Sequence, residues 1–204
     1  MQDVLTEQFD VLDELGNWTG QTKARADVHR DGDWHRSFHL WLIKDNQYVL
    51  FQRRSKFKDL EPKKIDVTVG GHFGAGETIR QVVREAEEEI GLYVCSKDLY
   101  YLDTFQVERT YEGAVDREFQ ETYVMKSDRP LDHYHLNCQE VTVLYEVPID
   151  KAIALYRDGG FTPANGFDCQ QRVNNALLTA DDLIEQARED VVRTLERIKV
   201  WLAS

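Results

Sequence analysis

A chain of 204 residues with 42% hydrophobic and 11% aromatic side chains can bury a core as one large domain, or as one domain with an annex. Its formal net charge of -12 argues against general nucleic-acid or anionic-membrane binding, which wants a basic face. A negatively charged substrate must therefore be met by a local basic patch or by bound cations.

From the N-terminus, MQDVLTEQFD is acidic and lacks the apolar run of a signal peptide. No stretch approaches the roughly 18 apolar residues of a membrane span. A soluble cytoplasmic protein is expected. Residues 9–15 (FDVLDEL) alternate weakly and predict an edge strand before a turn at Gly16 and Asn17, whereas residues 18–32 read as polar and irregular. Residues 37–43 (SFHLWLI) and 48–53 (YVLFQR) are β-rich runs separated by KDNQ, a hairpin signal. The second run ends in Arg53 and Arg54, and the loop after it adds Lys56, Lys58, Lys63 and Lys64. Residues 65–69 (IDVTV) form a short strand feeding a glycine-rich loop.

Residues 70–92 (GGHFGAGETIRQVVREAEEEIGL) then change abruptly to helical periodicity. Ile79, Val82, Val83, Ala86 and Ile90 make one apolar stripe, with Thr78 as N-cap and Gly91 at the left-handed stop. The opposite face gathers Glu85, Glu88 and Glu89 at i, i+3 and i+4. A solvated acidic face is the ordinary meaning of such a cluster. Two details oppose it here: carboxylates near a helix C-terminus oppose the macrodipole, and they repel one another unless a cation lies between them. A hard divalent cation such as Mg²⁺ takes oxygen ligands and bridges protein carboxylates to substrate phosphates.

Beyond the helix, residues 99–108 and 118–125 are strand candidates around a loop TYEGAVD, residues 140–147 are another strand, and residues 148–156 a short helix. Residues 157–175, with glycines and one proline, give no clear pattern. Residues 179–202 predict a long terminal helix, N-capped by Thr179 with Asp182 at N3, its stripe running through Leu183, Ala187, Val191, Leu195, Ile198 and Leu202. This helix is also the surface through which two copies could pair as a homodimer. Cys95, Cys138 and Cys169 are an odd, scattered set that reads as free thiols.

The stretch 70–92 resembles the Nudix box, G-x5-E-x7-R-E-U-x-E-E-x-G-U: Gly71, Glu77, Arg84, Glu85, Ala86, Glu88, Glu89, Gly91 and Leu92 match it in order. Six residues, not seven, separate Glu77 from Arg84. The resemblance implies an α/β fold, a Nudix-type α/β/α sandwich on a mixed sheet, which the order β, β, β, helix and further strands also fits. The expected division is a Nudix domain over 1–150 and a C-terminal helical extension over 151–204.

The segment ADVHRDGDWHRSFHLWLI resembles the corresponding part of type I isopentenyl-diphosphate isomerases and their Nudix relatives. By that resemblance His29, His35 and His72 would bind a metal, and Glu118 would take an acidic position beside them. Imidazole nitrogens suit Zn²⁺, Mn²⁺ or similar ions better than Mg²⁺. His39 has no role in this scheme. The isomerase reaction needs a cysteine just before the glycine–histidine pair, and that position holds Gly70. The intact REAEEEIGL helix, which isomerases have degraded, also points to hydrolysis.

The expected activity is therefore metal-dependent cleavage of a diphosphate linkage in a nucleoside or other organic diphosphate. Glu85, Glu88 and Glu89 would hold Mg²⁺ or Mn²⁺, which neutralises the diphosphate and acidifies the attacking water. Gly70 and Gly71 let phosphates approach the backbone. Arg53, Arg54 or Lys58 would supply positive charge, and Arg84 would orient the helix carboxylates. The general base is open among Glu88, Glu89, Glu118, Glu121 and Glu140. Two other readings stand beside this one: an isopentenyl-diphosphate isomerase-like enzyme, and a non-catalytic diphosphate-binding domain, which the short Glu77–Arg84 spacing favours.

Overall fold

The computed structural model describes residues 7–204. Its centre is β3 (Trp34–Lys44), whose side chains alternate between two cores. Trp41 and Ile43 face one core, with Phe51, Tyr156, Leu195 and Ile198. Phe38, Leu40 and Leu42 face the other, with Val82, Ala86 and Ile90. Helices cover both faces, so the architecture is the expected α/β/α sandwich.

A tight turn joins β3 to β4 (Tyr48–Arg54), and its two central residues, Asp45 and Asn46, have φ of 51° and 54°. Two consecutive left-handed residues follow the twist of the flanking strands, here within a three-residue loop between Lys44 and Tyr48. The two strands pair only beside this turn, at Ile43–Val49 and Lys44–Tyr48, and then splay. β6 (Val69–His72) takes the freed edge of β3 from Leu40 to Ser37, and β5 (Ile65–Asp66) pairs with β4 at Gln52 and Arg53. The glycine loop is thereby laid into the opening of the sheet.

On its other edge β3 runs parallel to β8 (Ala114–Lys126), which forms a long antiparallel hairpin with β7 (Tyr100–Tyr111). The expected loop TYEGAVD is mostly strand, and only Glu112 and Gly113 turn. β1 (Gln8–Leu12) pairs with β3, and β2 (Trp18–Ala24) pairs with β1. The stretch 18–32 is thus ordered, as β2 followed by α1 (Arg25–Asp31).

The Nudix-box helix comes in two pieces, α2 (Ile79–Val82) and α3 (Arg84–Ile90), broken at Val83. Thr78 forms the expected capping interaction with Gln81, and Gly91 closes α3 at φ 65°. β9 (Val141–Pro148) and α4 (Ile149–Asp158) follow. Residues 151–204 are not helical throughout. β10 (Phe161–Asp168) and β11 (Arg172–Thr179) form a hairpin that extends the main sheet from β9.

The Thr179–Asp182 capping box is present, but it closes a 3₁₀ turn over Ala180–Asp182, and α5 begins at Arg188 and ends at Leu202. Leu183 and Ile184 lie buried between the two. Burial of Val191, Leu195 and Ile198 docks α5 on the sheet, at about 1.5–3 kcal/mol for each side chain fully buried.

The reading of three free thiols is corrected. Cys138, before β9, and Cys169, after β10, form a disulfide with Cα atoms 6.2 Å apart, and Cys95 is free. The pairing of β9 with β10 brings these positions together across 31 residues of sequence. Among the described residues no helix is long and apolar enough to cross a membrane.

Candidate active site

Where β3 and β4 splay, a cleft of about 620 Å³ opens between the glycine loop, the α3 carboxylates and the start of α5. Glu85, Glu88, Glu89, Arg54, Lys58 and Arg84 all line it, as do Gly70 and Gly71. Gly71 is tightly enclosed: a Cβ there would lie 2.5 Å from the Glu85 side chain.

Despite the short spacing, Arg84 reaches Glu77, at 3.3 Å from both its Nε and its Nη2. Arg84 opens α3 directly after the break at Val83. Arg84 also ion-pairs with Glu85 and lies 3.7 Å from Glu88. Burial pushes the Glu85 carboxyl up to about 8, against the pull of Arg84. Glu89 is almost fully buried and accepts hydrogen bonds from Gln52 Nε2 (3.0 Å), the Gly70 amide (3.3 Å) and Lys58 Nζ (3.4 Å). Burial raises its carboxyl too, with Lys58 opposing. Lys58 also pairs with Glu140. The three box carboxylates are therefore held apart by their cationic partners, and Glu88 stays exposed at the rim.

The compact donor group among the described residues lies at the other end of the cleft. Ligand atoms of His29, His35, His72 and Asp116 all fall within 4.8 Å of one another. α1 supplies His29, β3 supplies His35, β6 supplies His72 and β8 supplies Asp116. His29 Nε2 lies 3.8 Å and His35 Nε2 3.6 Å from Asp116 Oδ1, and none of these three buried atoms has a hydrogen-bond partner.

Burial pushes the His29 imidazole down to about 4, helped by Arg25, and lowers His35 as well. Burial, with Glu118 beside it, raises Asp116 to about 8. Glu118 itself is held well below the usual carboxylate range: burial works against this, but contacts with His72 and the charges of His39 and Arg109 outweigh it. His72 Nε2 lies 3.2 Å from Glu118 Oε1 without the alignment of a hydrogen bond.

Neutral imidazoles and orphaned buried polar atoms converging on one point fit a divalent cation. His35 is preset for this role, because its Nδ1 faces the Asp33 carbonyl at 3.1 Å and so leaves the Nε2 lone pair turned to the centre. His72 is set differently. Arg25 donates to its Nδ1 at 3.0 Å, so ligation through Nε2 requires Arg25 to let go.

Of the residues expected in the site, the structure does not bring Arg53 to the cleft. Its guanidinium bonds Asp182 at 2.9 Å and the Lys63 carbonyl at 2.8 Å. Glu121 is likewise engaged elsewhere, with Arg36 and Tyr123. The sequence reading missed Asp116, Arg109 and the cleft position of His39. Asp116 carried a usable signal: it stands two residues before Glu118, hence on the same face of β8.

The NUDIX domain model matches residues 33–160 of this chain. An uncharacterized Nudix hydrolase of Clostridium acetobutylicum is 31% identical over 191 residues, covering 88% of this chain and 91% of that protein. Isopentenyl-diphosphate Delta-isomerase 1 of Photorhabdus laumondii is 30% identical over 127 residues, 61% of this chain and 71% of that protein. A crystal structure of a Deinococcus radiodurans protein superposes with a TM-score of 0.57 at 23% identity, over 72% of this chain and 87% of that one. The chain belongs to the Nudix family. It is a Nudix hydrolase, with a segment similar to the isomerase branch.

Proposed function

We propose that this protein hydrolyses a diphosphate linkage in an organic diphosphate, with Mg²⁺ or Mn²⁺ as cofactor. The observation that carries this reading is the convergence of Glu85, Glu88, Glu89, Arg54, Lys58 and the Gly70–Gly71 backbone on one cleft. When bound, the cation supplies charge neutralisation for the diphosphate and acidifies the attacking water. Glu85, Glu88 and Glu89 would hold it, and the His29, His35, His72 and Asp116 group would hold a second. Arg54 and Lys58 offer positive charge to the leaving phosphate. Arg84 positions Glu85 through their ion pair. Glu88, exposed at the rim, and Glu140, beside Lys58, are the carboxylates best placed to take a proton from water. The partner is a small diphosphate molecule.

Glu88→Gln and Glu89→Gln are expected to cut phosphate release by on the order of 100-fold or more, with unchanged circular dichroism. Unaltered turnover in both variants would sink the assignment. The assay uses nucleoside diphosphates, diphosphate sugars, dinucleotides and isoprenoid diphosphates with each metal.

One observation favours a second reading, isomerase chemistry: the donor cluster and the segment around it are those in which the chain resembles the isomerases. Gly70 stands where that chemistry needs a thiol, and incorporation of deuterium into isopentenyl diphosphate, followed by NMR in D₂O, separates the two. The binding-only reading loses its sequence support, because Arg84 reaches Glu77 across the shortened spacing.

A further inference from the structure

One part of the cleft wall, here called the recess, is left unused by the proposed hydrolysis. Its floor is the β3–β8 pair, from which His39, Trp41, Gln120 and Thr122 line the cleft, His39 opposite Thr122. Its roof comes from the C-terminal segment, through Ile184, Ala187, Val191 and Thr194.

The floor is polar and underused. His39 is half-buried, and among the described residues neither of its ring nitrogens has a hydrogen-bond partner. Glu118, Asp66, Arg109 and Asp190 surround it as charges only. Trp41 is 2% exposed and lines the same recess with its indole N–H unpartnered. Gln120 spends its amide N–H on Glu118, which leaves its oxygen as an acceptor. Within this group the Trp41 N–H is buried with no partner, a rare state in folded proteins, while the His39 ring lines the cleft and is free to bond a ligand.

We propose that the recess is a subsite for a hydroxylated organic group carried on the diphosphate, with His39 and the Trp41 N–H as its hydrogen-bond partners. A hydrocarbon chain placed there would strip water from the His39 ring and leave the Trp41 N–H as unpartnered as before. A site built to bond hydroxyls rejects an analogue lacking them far more strongly than an apolar pocket rejects an added hydroxyl. The apolar roof then packs on the carbon faces of the bound group, and its contribution from the C-terminal segment makes that segment part of the selectivity.

The assignment rests on reading this cleft as a diphosphate site, and the experiment separates the two. Ribose 5-diphosphate and isopentenyl diphosphate are both five-carbon diphosphate monoesters, one rich in hydroxyls and the other a hydrocarbon. Their binding to the full chain, and that of inorganic pyrophosphate, is measured by calorimetry with Ca²⁺ replacing Mg²⁺ to suppress turnover, so that every proposed metal ligand stays in place. Wild-type His39 is expected to favour ribose 5-diphosphate by roughly tenfold or more.

His39→Leu should remove that preference while pyrophosphate binds as before, which also shows that the variant is folded. His39→Asn, which keeps a donor and an acceptor, should retain most of it. If pyrophosphate and both monoesters bind but His39→Leu leaves the preference unchanged, the subsite is overturned and the diphosphate reading stands. If none of the three binds the protein, the diphosphate reading itself falls and takes the subsite with it.

Discussion

At Gly71 the neighbour, not the backbone angle, demands glycine. The Cγ and Cδ of Glu85 would each lie 2.5 Å from a Cβ there, and Glu85 cannot swing away freely because Arg84 grips it. Gly71→Ala should therefore displace one box carboxylate while sparing the fold. The expected outcome is a melting temperature within a few degrees of wild type and turnover lower by roughly 100-fold, since small misplacements at a reacting centre cost that much. Phosphate release at the wild-type rate would show that Glu85 has no part in the site. The same residue-by-residue view explains what could be read early. The box matched because its spacing is local, so Glu85, Glu88 and Glu89 were legible. Asp116 and Arg109 were not, since they face each other only through the β7–β8 register.

Among the elements, β4 shows how a strand separates neighbouring basic residues. Arg54 bonds Asp66 at 2.7 Å and lines the cleft, whereas Arg53 ties β4 to the 3₁₀ turn before α5 through Asp182. Sequence adjacency made the two look equivalent. Arg53→Ala should lower unfolding free energy by about 1–2 kcal/mol, the scale of a partly buried guanidinium bonded to several partners rather than a surface pair, and leave KM unchanged. Arg54→Ala should raise KM instead. Urea unfolding and steady-state kinetics on both variants check this, and a similar KM shift for Arg53→Ala would return it to the site.

Other elements were legible in proportion to their apolar patterning. β3 and β4 carry apolar residues on both faces and stood out. α1 buries only Val28 in seven residues, and β10 includes Pro163 and Gly166, so neither betrayed its structure in sequence. The stripe from Leu183 to Leu202 did mark a buried segment. The pattern did not reveal that residues 183 and 184 are extended, because Leu183 is buried and fits the stripe.

For the whole molecule, the disulfide is the feature that sequence order hid and topology supplies. It joins the turn before β9 to the end of β10, and so ties the hairpin of the C-terminal segment to the loop holding Asn137 and Glu140 at the cleft. Closing a loop of this length restricts the unfolded chain by about 3–4 kcal/mol in the chain-entropy account. Reduction, or Cys138→Ser, should then lower the melting temperature by roughly 10 °C in a protein of this size. Cys95→Ser, at the free thiol, should leave it unchanged. Scanning calorimetry with and without reductant, alongside a thiol titration, reads the outcome directly. One reactive thiol per chain before reduction and three after is expected. Equal melting temperatures in the two states would mean that the β9–β10 ladder alone holds the cleft loop, and that the bond adds nothing the sheet has not already fixed.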